Sequence, residues 1–284
     1  MTYTTMTKTN RIASNMTLVL GGTGKTGHRI VERLQERGVH VRVGSRSAEL
    51  PFAWEDPATW APALQNVASA YITFYPDLSV PGATDTIRAF VEQAVQSGVR
   101  HLVLLSARGE EKAAQCDRIV QSSGVDWTIL RASWFSQNFN EAFLREFVMT
   151  GVVALPTGSV KEPFVSADDI ADVAAAVLSE PGHAGQIYEL TGPRLMTFAD
   201  AVGEIANATG RAIAYLPISQ KAFASALTAQ GVPTDSVTLL SYLFANLVDG
   251  HNAYLGDGVQ RVLGRSPQDF TAYAQATAAS GAWD

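Results

Sequence analysis

The sequence contains only one cysteine, Cys116, among its 284 residues. A single thiol excludes an internal disulfide and a metal site built from cysteines, and it is typical of a reduced, cytoplasmic setting. The five histidines are scattered without the spacing of metal ligands, so we expect no metal centre.

Basic blocks and long apolar runs are missing as well. The formal net charge is -6 and no segment concentrates lysine or arginine, which argues against an electrostatic grip on nucleic acid. No segment has eighteen uninterrupted apolar residues, so we expect no membrane span. Residues 1–15 also lack the apolar core of a signal peptide, and we expect a disordered leader that is neither a signal peptide nor an anchor.

A glycine-rich turn follows the first apolar run of the chain. The run Met16–Leu20 predicts a buried strand, and residues 29–37 predict an amphipathic helix. Strand, turn and helix in this order open a dinucleotide-binding βαβ unit, in which backbone N–H groups and the helix dipole hold a diphosphate. Gly21 allows the sharp turn, Gly24 allows the phosphates to approach, and Gly27 allows the helix to pack closely on the sheet. The predicted diphosphate site comprises Gly21, Thr23, Gly24, Lys25, Thr26 and Gly27.

Two alternatives apply to the same turn. Gly24-Lys25-Thr26 also matches the end of a nucleoside-triphosphate P-loop, but that motif requires a glycine where Val19 stands. A glycine turn that binds no ligand is the second alternative, because an isolated glycine pattern is a weak signal. The strand before the turn and the helix after it favour the dinucleotide interpretation.

The end of the second strand, predicted over residues 39–43, selects the cofactor. An acidic residue there binds the ribose 2′-OH of NAD, whereas a basic residue fits the 2′-phosphate of NADP. The sequence has Ser45-Arg46-Ser47, with no acid before Glu49. Arg46 can bind phosphate in a bidentate manner, with Ser45 and Ser47 as hydroxyl donors. We therefore favour NADP(H) over NAD(H); the alternative is that Arg46 is a solvated loop arginine.

Strands and helices alternate up to about residue 133. Further strands are predicted at residues 52–54, 70–74, 101–105 and 127–130, and helices at 24–37, 83–97 and 113–123. Helical crossovers between strands predict an α/β fold with a doubly wound parallel sheet. Residues 16–133 are the expected dinucleotide-binding core. In residues 134–284 the pattern loosens, with a short strand at 186–190, and we expect this segment to complete the sheet and form a smaller, mainly helical substrate lobe.

Four segments together resemble the NmrA-like branch of the atypical short-chain dehydrogenases. They are the turn at 21–27, SGVDWTILR at 123–131, WFSQNF at 134–139 and FVSADDIA at 164–171. The resemblance extends from about residue 16 to the C-terminus and implies a Rossmann-like fold that binds NAD(P). The family includes NAD(P)H-dependent quinone reductases, reductases of plant phenolics and alkaloid precursors, and redox-sensing regulators that bind the cofactor without turnover.

The sequence departs from the family pattern in three respects. Ala53 stands where many members have the aspartate that binds adenine, and we expect Trp54 to serve instead. Ala113 stands where many members have a lysine. The Tyr-x-x-x-Lys pair of ordinary short-chain dehydrogenases is absent, since none of the eight tyrosines has a lysine four residues later.

Hydride transfer requires the nicotinamide to be held close to an electrophilic atom in a site that excludes water, and no protein nucleophile is needed. By position, Phe74, Tyr75 and Pro76 border the nicotinamide, and Ser106 ends the next strand. Tyr75 and Ser106 are the candidate proton donors. An electron-poor acceptor such as a quinone needs only weak acid assistance, whereas a simple ketone needs a better donor.

Trp134, Phe135 and Asn138 are expected to close the substrate pocket from the lobe; the alternative is that the aromatic residues are lobe core. The sequence thus predicts an NADPH-dependent oxidoreductase that transfers hydride to a small electron-poor organic substrate. The alternative function is an NADP(H)-binding redox sensor without turnover that acts through a regulatory protein partner. The acidic composition does not exclude a homodimer.

Overall fold

A six-stranded parallel sheet organises the fold, in a computed structural model that describes residues 16–284. The predicted leader, residues 1–15, lies outside the described residues. The strand order is β2-β1-β3-β4-β5-β8, and every neighbouring pair is parallel, which confirms the doubly wound α/β fold. The strands are β1 (Met16–Leu20), β2 (His40–Gly44), β3 (Val67–Ile72), β4 (His101–Ala107), β5 (Asp126–Ala132), β6 (Val152–Leu155), β7 (Lys161–Glu162), β8 (Gln186–Leu190), β9 (Met196–Thr197) and β10 (Ala214–Pro217).

Helices cover both faces of this sheet because successive strand residues point to opposite sides. Leu18 and Leu20 of β1 pack on one face, against helices α3 and α4, whereas Val19 packs on the other, against α1 and α7. The helices are α1 (Gly27–Glu36), α2 (Trp60–Leu64), α3 (Ala83–Gln96), α4 (Glu111–Gln121), α5 (Asn138–Glu141), α6 (Leu144–Thr150), α7 (Ala167–Ser179), α8 (Phe198–Thr209), α9 (Gln220–Ala229), α10 (Thr234–Asn246), α11 (Gly258–Leu263) and α12 (Phe270–Ala279).

A second hydrophobic core lies in the lobe. The lobe is formed by helices α5, α6, α8, α9, α10 and α12 and by two small sheets, in which β6 pairs with β10 and β7 pairs with β9. Phe139, Phe198, Phe244 and Phe270 are buried there, with ring centroids 5.5 Å apart for Phe139 and Phe270. Helix α7 and strand β8 instead belong to the sheet domain. Within residues 16–284, no helix is both long and apolar enough to cross a membrane.

The predicted third strand at residues 52–54 is wrong. Ala53 makes only an isolated bridge to Asp56, and Phe52 and Trp54 instead pack with Trp60 and Phe90 in an aromatic cluster. Aromatic burial against helix α3 replaces ladder hydrogen bonds at this point. The predicted strand at 70–74 is shifted as well, to Val67–Ile72, and helix α1 begins at Gly27 rather than Gly24.

Candidate active site

The turn between β1 and α1 has the tight geometry that its glycines predict. Gly21 has φ +60°, and a Cβ there would lie 2.8 Å from Cγ2 of Thr73. A Cβ on Gly27 would lie 2.0 Å from the carbonyl oxygen of Gly21, so only glycine lets the helix approach this closely. Each glycine is therefore needed by the close packing of turn, sheet and helix.

Backbone amides in this turn remain free for a ligand. The Gly24 amide donates to the Gly21 carbonyl over 2.8 Å, whereas the amides of Thr23 and Lys25 donate to no acceptor within residues 16–284. The buried Tyr71 hydroxyl donates to Oγ1 of Thr26 over 3.0 Å and fixes the start of α1. Free amides at the positive end of a ten-residue helix fit a dinucleotide diphosphate.

Lys25 connects the turn to the lobe. Its Nζ donates to Oδ1 of Asn138 over 2.5 Å and lies 5.7 Å from the centre of the Phe135 ring. Burial lowers the pKa of Lys25 to about 8, the neighbouring Glu141 raises it, and Arg29 lowers it. A bound diphosphate would supply the negative charge that favours the protonated amine.

A cleft of about 700 Å³ runs from this turn to the space between the sheet and the lobe. It brings together most of the residues that the sequence predicts for the site. Two of them, Gly27 and Ser47, are not in its wall: Gly27 packs beneath the turn, and the Ser47 hydroxyl lies 3.3 Å from that of Ser45. The predicted residues that line the cleft are Gly21, Thr23, Gly24, Lys25, Thr26, Ser45, Arg46, Phe74, Tyr75, Pro76, Ser106, Trp134, Phe135 and Asn138.

Arg46 lines the cleft beyond the end of β2. Its side chain is exposed, and the part of the chain that the structure describes offers it no hydrogen bond or ion pair. Trp54 also lines the cleft, and its Nε1 donates to the Thr73 carbonyl over 3.2 Å. The ring of Trp54 packs 4.9 Å from that of Phe74. A free guanidinium and an aromatic wall are suited to a phosphorylated adenosine.

The two predicted proton donors have contrasting surroundings. Tyr75, which precedes a cis peptide bond to Pro76, is 74% exposed at the mouth of the cleft. Ser106 is buried in the cleft wall. Burial raises the pKa of Asp117, while its interactions with the Ser106 hydroxyl and with Arg131 lower it. The Ser106 hydroxyl therefore lies near a carboxyl group of helix α4, but it makes no hydrogen bond within residues 16–284.

Sequence reasoning missed two groups of cleft residues. Helix α10 contributes Leu239, Leu240 and Leu243 to an apolar wall that faces the ends of β4 and β5. The other group is polar and buried, and consists of Arg108, Glu162 and Asn252. Arg108 immediately follows β4, where an open parallel sheet places its ligands, so strand-end position could have identified it. Nothing in the local pattern around Glu162 or Asn252 distinguishes either from a surface loop residue.

Glu162 is 1% exposed, and its Oε1 has no hydrogen-bond partner in the described chain. Burial raises the pKa of Glu162 to about 8, Arg108 lowers it, and Asp249 raises it. The cleft wall therefore holds a carboxyl group that is mostly protonated at neutral pH.

Comparison with known proteins gives a consistent result. Residues 21–181 match the family model described as NAD(P)H-binding. The uncharacterized oxidoreductase YesF of Bacillus subtilis is 30% identical over 276 residues, which cover 93% of this chain and 96% of that protein. The NAD(P)H azoreductase of Xenophilus azovorans is 29% identical, with coverage of 93% and 99%.

Solved structures with a similar fold include two reductases. The Citrobacter sp. triphenylmethane reductase complexed with NADP(H) has a TM-score of 0.75 at 19% identity and covers 93% of this chain and 99% of that one. The Escherichia coli NADPH-dependent quinone oxidoreductase complexed with NADPH has a TM-score of 0.78 at 22% identity, with coverage of 92% and 99%. At these identities the likeness concerns the fold.

Proposed function

We propose a specific reaction for this chain. The chain belongs to the NAD(P)H-binding family and is an NAD(P)H-dependent reductase of the atypical short-chain dehydrogenase type. The reaction is hydride transfer from NADPH to a small, electron-poor organic compound, with quinones as the first class to test. The proposal rests chiefly on one continuous cleft, which joins the free amides of the glycine turn and Arg46 to an apolar space beneath the lobe.

The preference for NADP(H) over NAD(H) follows from the charge at the end of β2. Arg46 offers five N–H donors without a protein partner in the described region, and Ser45 adds a hydroxyl. No carboxylate lies between the end of β2 and Glu49 to accept hydrogen bonds from a ribose 2′-OH. A 2′-phosphate would therefore gain charge-assisted hydrogen bonds that a 2′-OH cannot make.

Bound NADPH would supply the hydride, and the chain's own side chains would position the acceptor. Trp134 stacks on Phe244 with ring centroids 4.9 Å apart, so its ring is held as a rigid wall of the cleft. Leu239, Leu240 and Leu243 face the same space and exclude water. Flat apolar molecules fit such walls. The names of two similar proteins, an azoreductase and a quinone oxidoreductase, refer to substrates of this general kind.

The first experiment is a fluorescence titration of the protein with NADPH and NADP, followed by NADPH oxidation with quinones, azo dyes, iminium compounds and simple ketones. We expect oxidation with quinones and little with simple ketones. Tight NADPH binding without oxidation by any acceptor would refute the reductase proposal. It would favour the redox sensor, which in turn requires different affinities for NADPH and NADP, because a ligand without differential affinity shifts no equilibrium.

The cofactor preference is tested by Arg46→Ala. Loss of a charge-assisted contact predicts about 10-fold to 100-fold weaker binding of NADPH, with NADH affinity changed less than about twofold. Arg100→Ala is the matched control, because Arg100 is also exposed but precedes β4, at the opposite edge of the sheet. Equal losses of NADPH and NADH affinity in Arg46→Ala would show that this arginine does not contact the 2′-phosphate.

A further inference from the structure

Three neighbouring buried polar side chains belong to the wall of the cleft. Arg108, Glu162 and Asn252 all line it, and each has a polar side-chain atom without a hydrogen-bond partner in residues 16–284. These atoms are Nε and Nη1 of Arg108, Oε1 of Glu162 and Oδ1 of Asn252; among the described residues, the buried Oγ of Ser106 in the same wall is unpaired as well. Buried polar groups are normally paired, so a cluster of unpaired atoms on residues that line a cleft points to a ligand that completes the hydrogen bonds.

Glu162 is held rigidly beside the ends of the central strands. It ends β7, and its partner in the two-residue ladder is Met196 of β9. The next residue, Pro163, accepts a hydrogen bond from the Ser133 hydroxyl over 2.6 Å, directly after β5. The carboxyl group is therefore fixed close to the sheet edge where the predicted nicotinamide residues end their strands.

Arg108 is fixed as well, yet its Nε and Nη1 make no hydrogen bond within the described residues. Nη2 donates to the Tyr254 carbonyl over 3.0 Å, the guanidinium lies 4.1 Å from the centre of the Tyr254 ring, and Nε lies 3.4 Å from Glu189. Nη1 has no partner among the described residues. Because the side chain is only 2% exposed, water does not substitute freely for the missing acceptor.

We propose that Glu162 is the proton donor of the reduction and that Arg108 binds the atom that receives the proton. This proposal rests on the proposed function and narrows its substrate class. The reduced bond must end in an oxygen or nitrogen with a free lone pair, as in a quinone carbonyl, another conjugated carbonyl or an imine. Glu162 is preferred to Tyr75 and Ser106 in this role, because Tyr75 lies in solvent and the hydroxyl of Ser106 is a far weaker acid than a carboxyl group.

The charges around Glu162 suit this role. Burial and the exposed Asp249 raise its pKa, and Arg108 lowers it, with a result of about 8. The group is therefore protonated at neutral pH and still acidic enough to give its proton away, which is the range that favours general acid catalysis.

The step balances in atoms and electrons. An electrophilic atom of the substrate's conjugated π system would gain a hydride, with both electrons of the broken C–H bond, from the reduced nicotinamide, which would become oxidised. The electron pair of the substrate π bond moves to its oxygen or nitrogen, and that atom takes the proton of the Glu162 carboxyl group. Glu162 is left as a carboxylate beside Arg108 and regains a proton from solvent.

A binding experiment tests the proposal without turnover. The affinity of a quinone for the enzyme loaded with NADP is measured by fluorescence quenching between pH 6.5 and 9.5. With a donor whose pKa is about 8, wild-type affinity falls about 10-fold or more over this range, because deprotonation removes the hydrogen bond to the carbonyl. Glu162→Gln keeps an N–H donor, so its affinity for the quinone should change little with pH. The control Glu111→Gln removes an exposed carboxylate, and its quinone affinity should follow that of the wild type.

Kinetics complete the test. Glu162→Gln should lower the rate of hydride transfer about 100-fold or more while NADPH binds as in wild type, which also shows that the variant is folded. Asp249→Asn should move the alkaline fall of kcat/KM to lower pH, since Asp249 raises the pKa of Glu162. Wild-type turnover in Glu162→Gln, or quinone affinity with the same pH dependence in both proteins, would overturn the assignment. These outcomes are distinguishable from a failure of the proposed function, in which no acceptor would oxidise NADPH even with the wild-type protein.

Discussion

Replacing Glu162 by glutamine should make the stability of the fold less sensitive to alkaline pH. The folded state raises the pKa of this carboxyl group from 4.5 to about 8, chiefly by burial. A raised pKa means that the native state holds the proton more tightly than the unfolded chain does. The resulting stabilisation is fully present below pH 4.5 and is lost as the pH rises to about 8. Glutamine does not titrate, so the free energy of unfolding of the variant does not fall for this reason as the pH rises.

The magnitude follows from the two pKa values. At about 1.4 kcal/mol per pKa unit, the whole contribution is on the order of 5 kcal/mol, of which about 3 kcal/mol is lost between pH 6 and pH 9. Urea unfolding of the cofactor-free protein at these two pH values measures it. The free energy of unfolding should fall by about 3 kcal/mol more in the wild type than in Glu162→Gln, because all other groups titrate alike in both proteins.

The control is Glu111→Gln, in which the replaced carboxylate is 74% exposed. Its free energy of unfolding should follow that of the wild type between pH 6 and pH 9 within about 0.5 kcal/mol. If Glu162→Gln also follows the wild type this closely, Glu162 is ionised in the native state. The assigned burial and the assigned proton donor would then both be wrong.

Two further predictions concern the glycine turn. Lys25→Met should weaken NADPH binding about 10-fold at pH 7. The difference in affinity from wild type should shrink at pH 9, because a lysine with a pKa of about 8 has lost its proton there. Fluorescence titration at both pH values measures the affinities, and a difference that does not change with pH would exclude a contact between the ammonium group and phosphate. Gly27→Ala should lower the free energy of unfolding in urea by about 3 kcal/mol or more, because its Cβ would lie 2.0 Å from the Gly21 carbonyl oxygen. The control is Gly203→Ala, whose Cβ would have no atom within 4 Å and which should be neutral or slightly stabilising. Equal stability of the two variants would contradict the packing role of Gly27.

Local sequence signals were sufficient for most strands of the sheet and for the glycine turn. Strands β1 and β8 occupy the predicted residues 16–20 and 186–190, because an apolar run bounded by turn residues specifies both its type and its ends. The steric need for glycine at Gly27 is equally local, since its Cβ would meet the carbonyl oxygen of Gly21 in the same turn. Such features depend on neighbours in the chain and can be predicted from it.

Features that depend on distant segments could not be predicted in this way. Phe52 and Trp54 have strong strand propensity, yet their rings pack on Phe90 of α3 at centroid distances of 5.7 and 5.2 Å, and no strand forms. Glu162 is a charged residue in a polar stretch, and its burial results from contacts with the strand ends and with Arg108, 54 positions earlier in the sequence. The burial of Glu162 is therefore a tertiary property that the local sequence does not indicate.

The contacts of helix α1 explain how the turn can serve both the lobe and a cofactor. Arg29 joins the two parts independently of Lys25: its Nη2 lies 2.6 Å from Glu141 of the lobe, and its Nε lies 3.2 Å from Asp168 of α7. The same side chain donates to the Lys25 carbonyl over 2.7 Å and so fixes the backbone of the turn. Because Arg29 makes these contacts independently of Lys25, we expect the lobe to stay attached if the Lys25 ammonium group exchanges Asn138 for a phosphate oxygen.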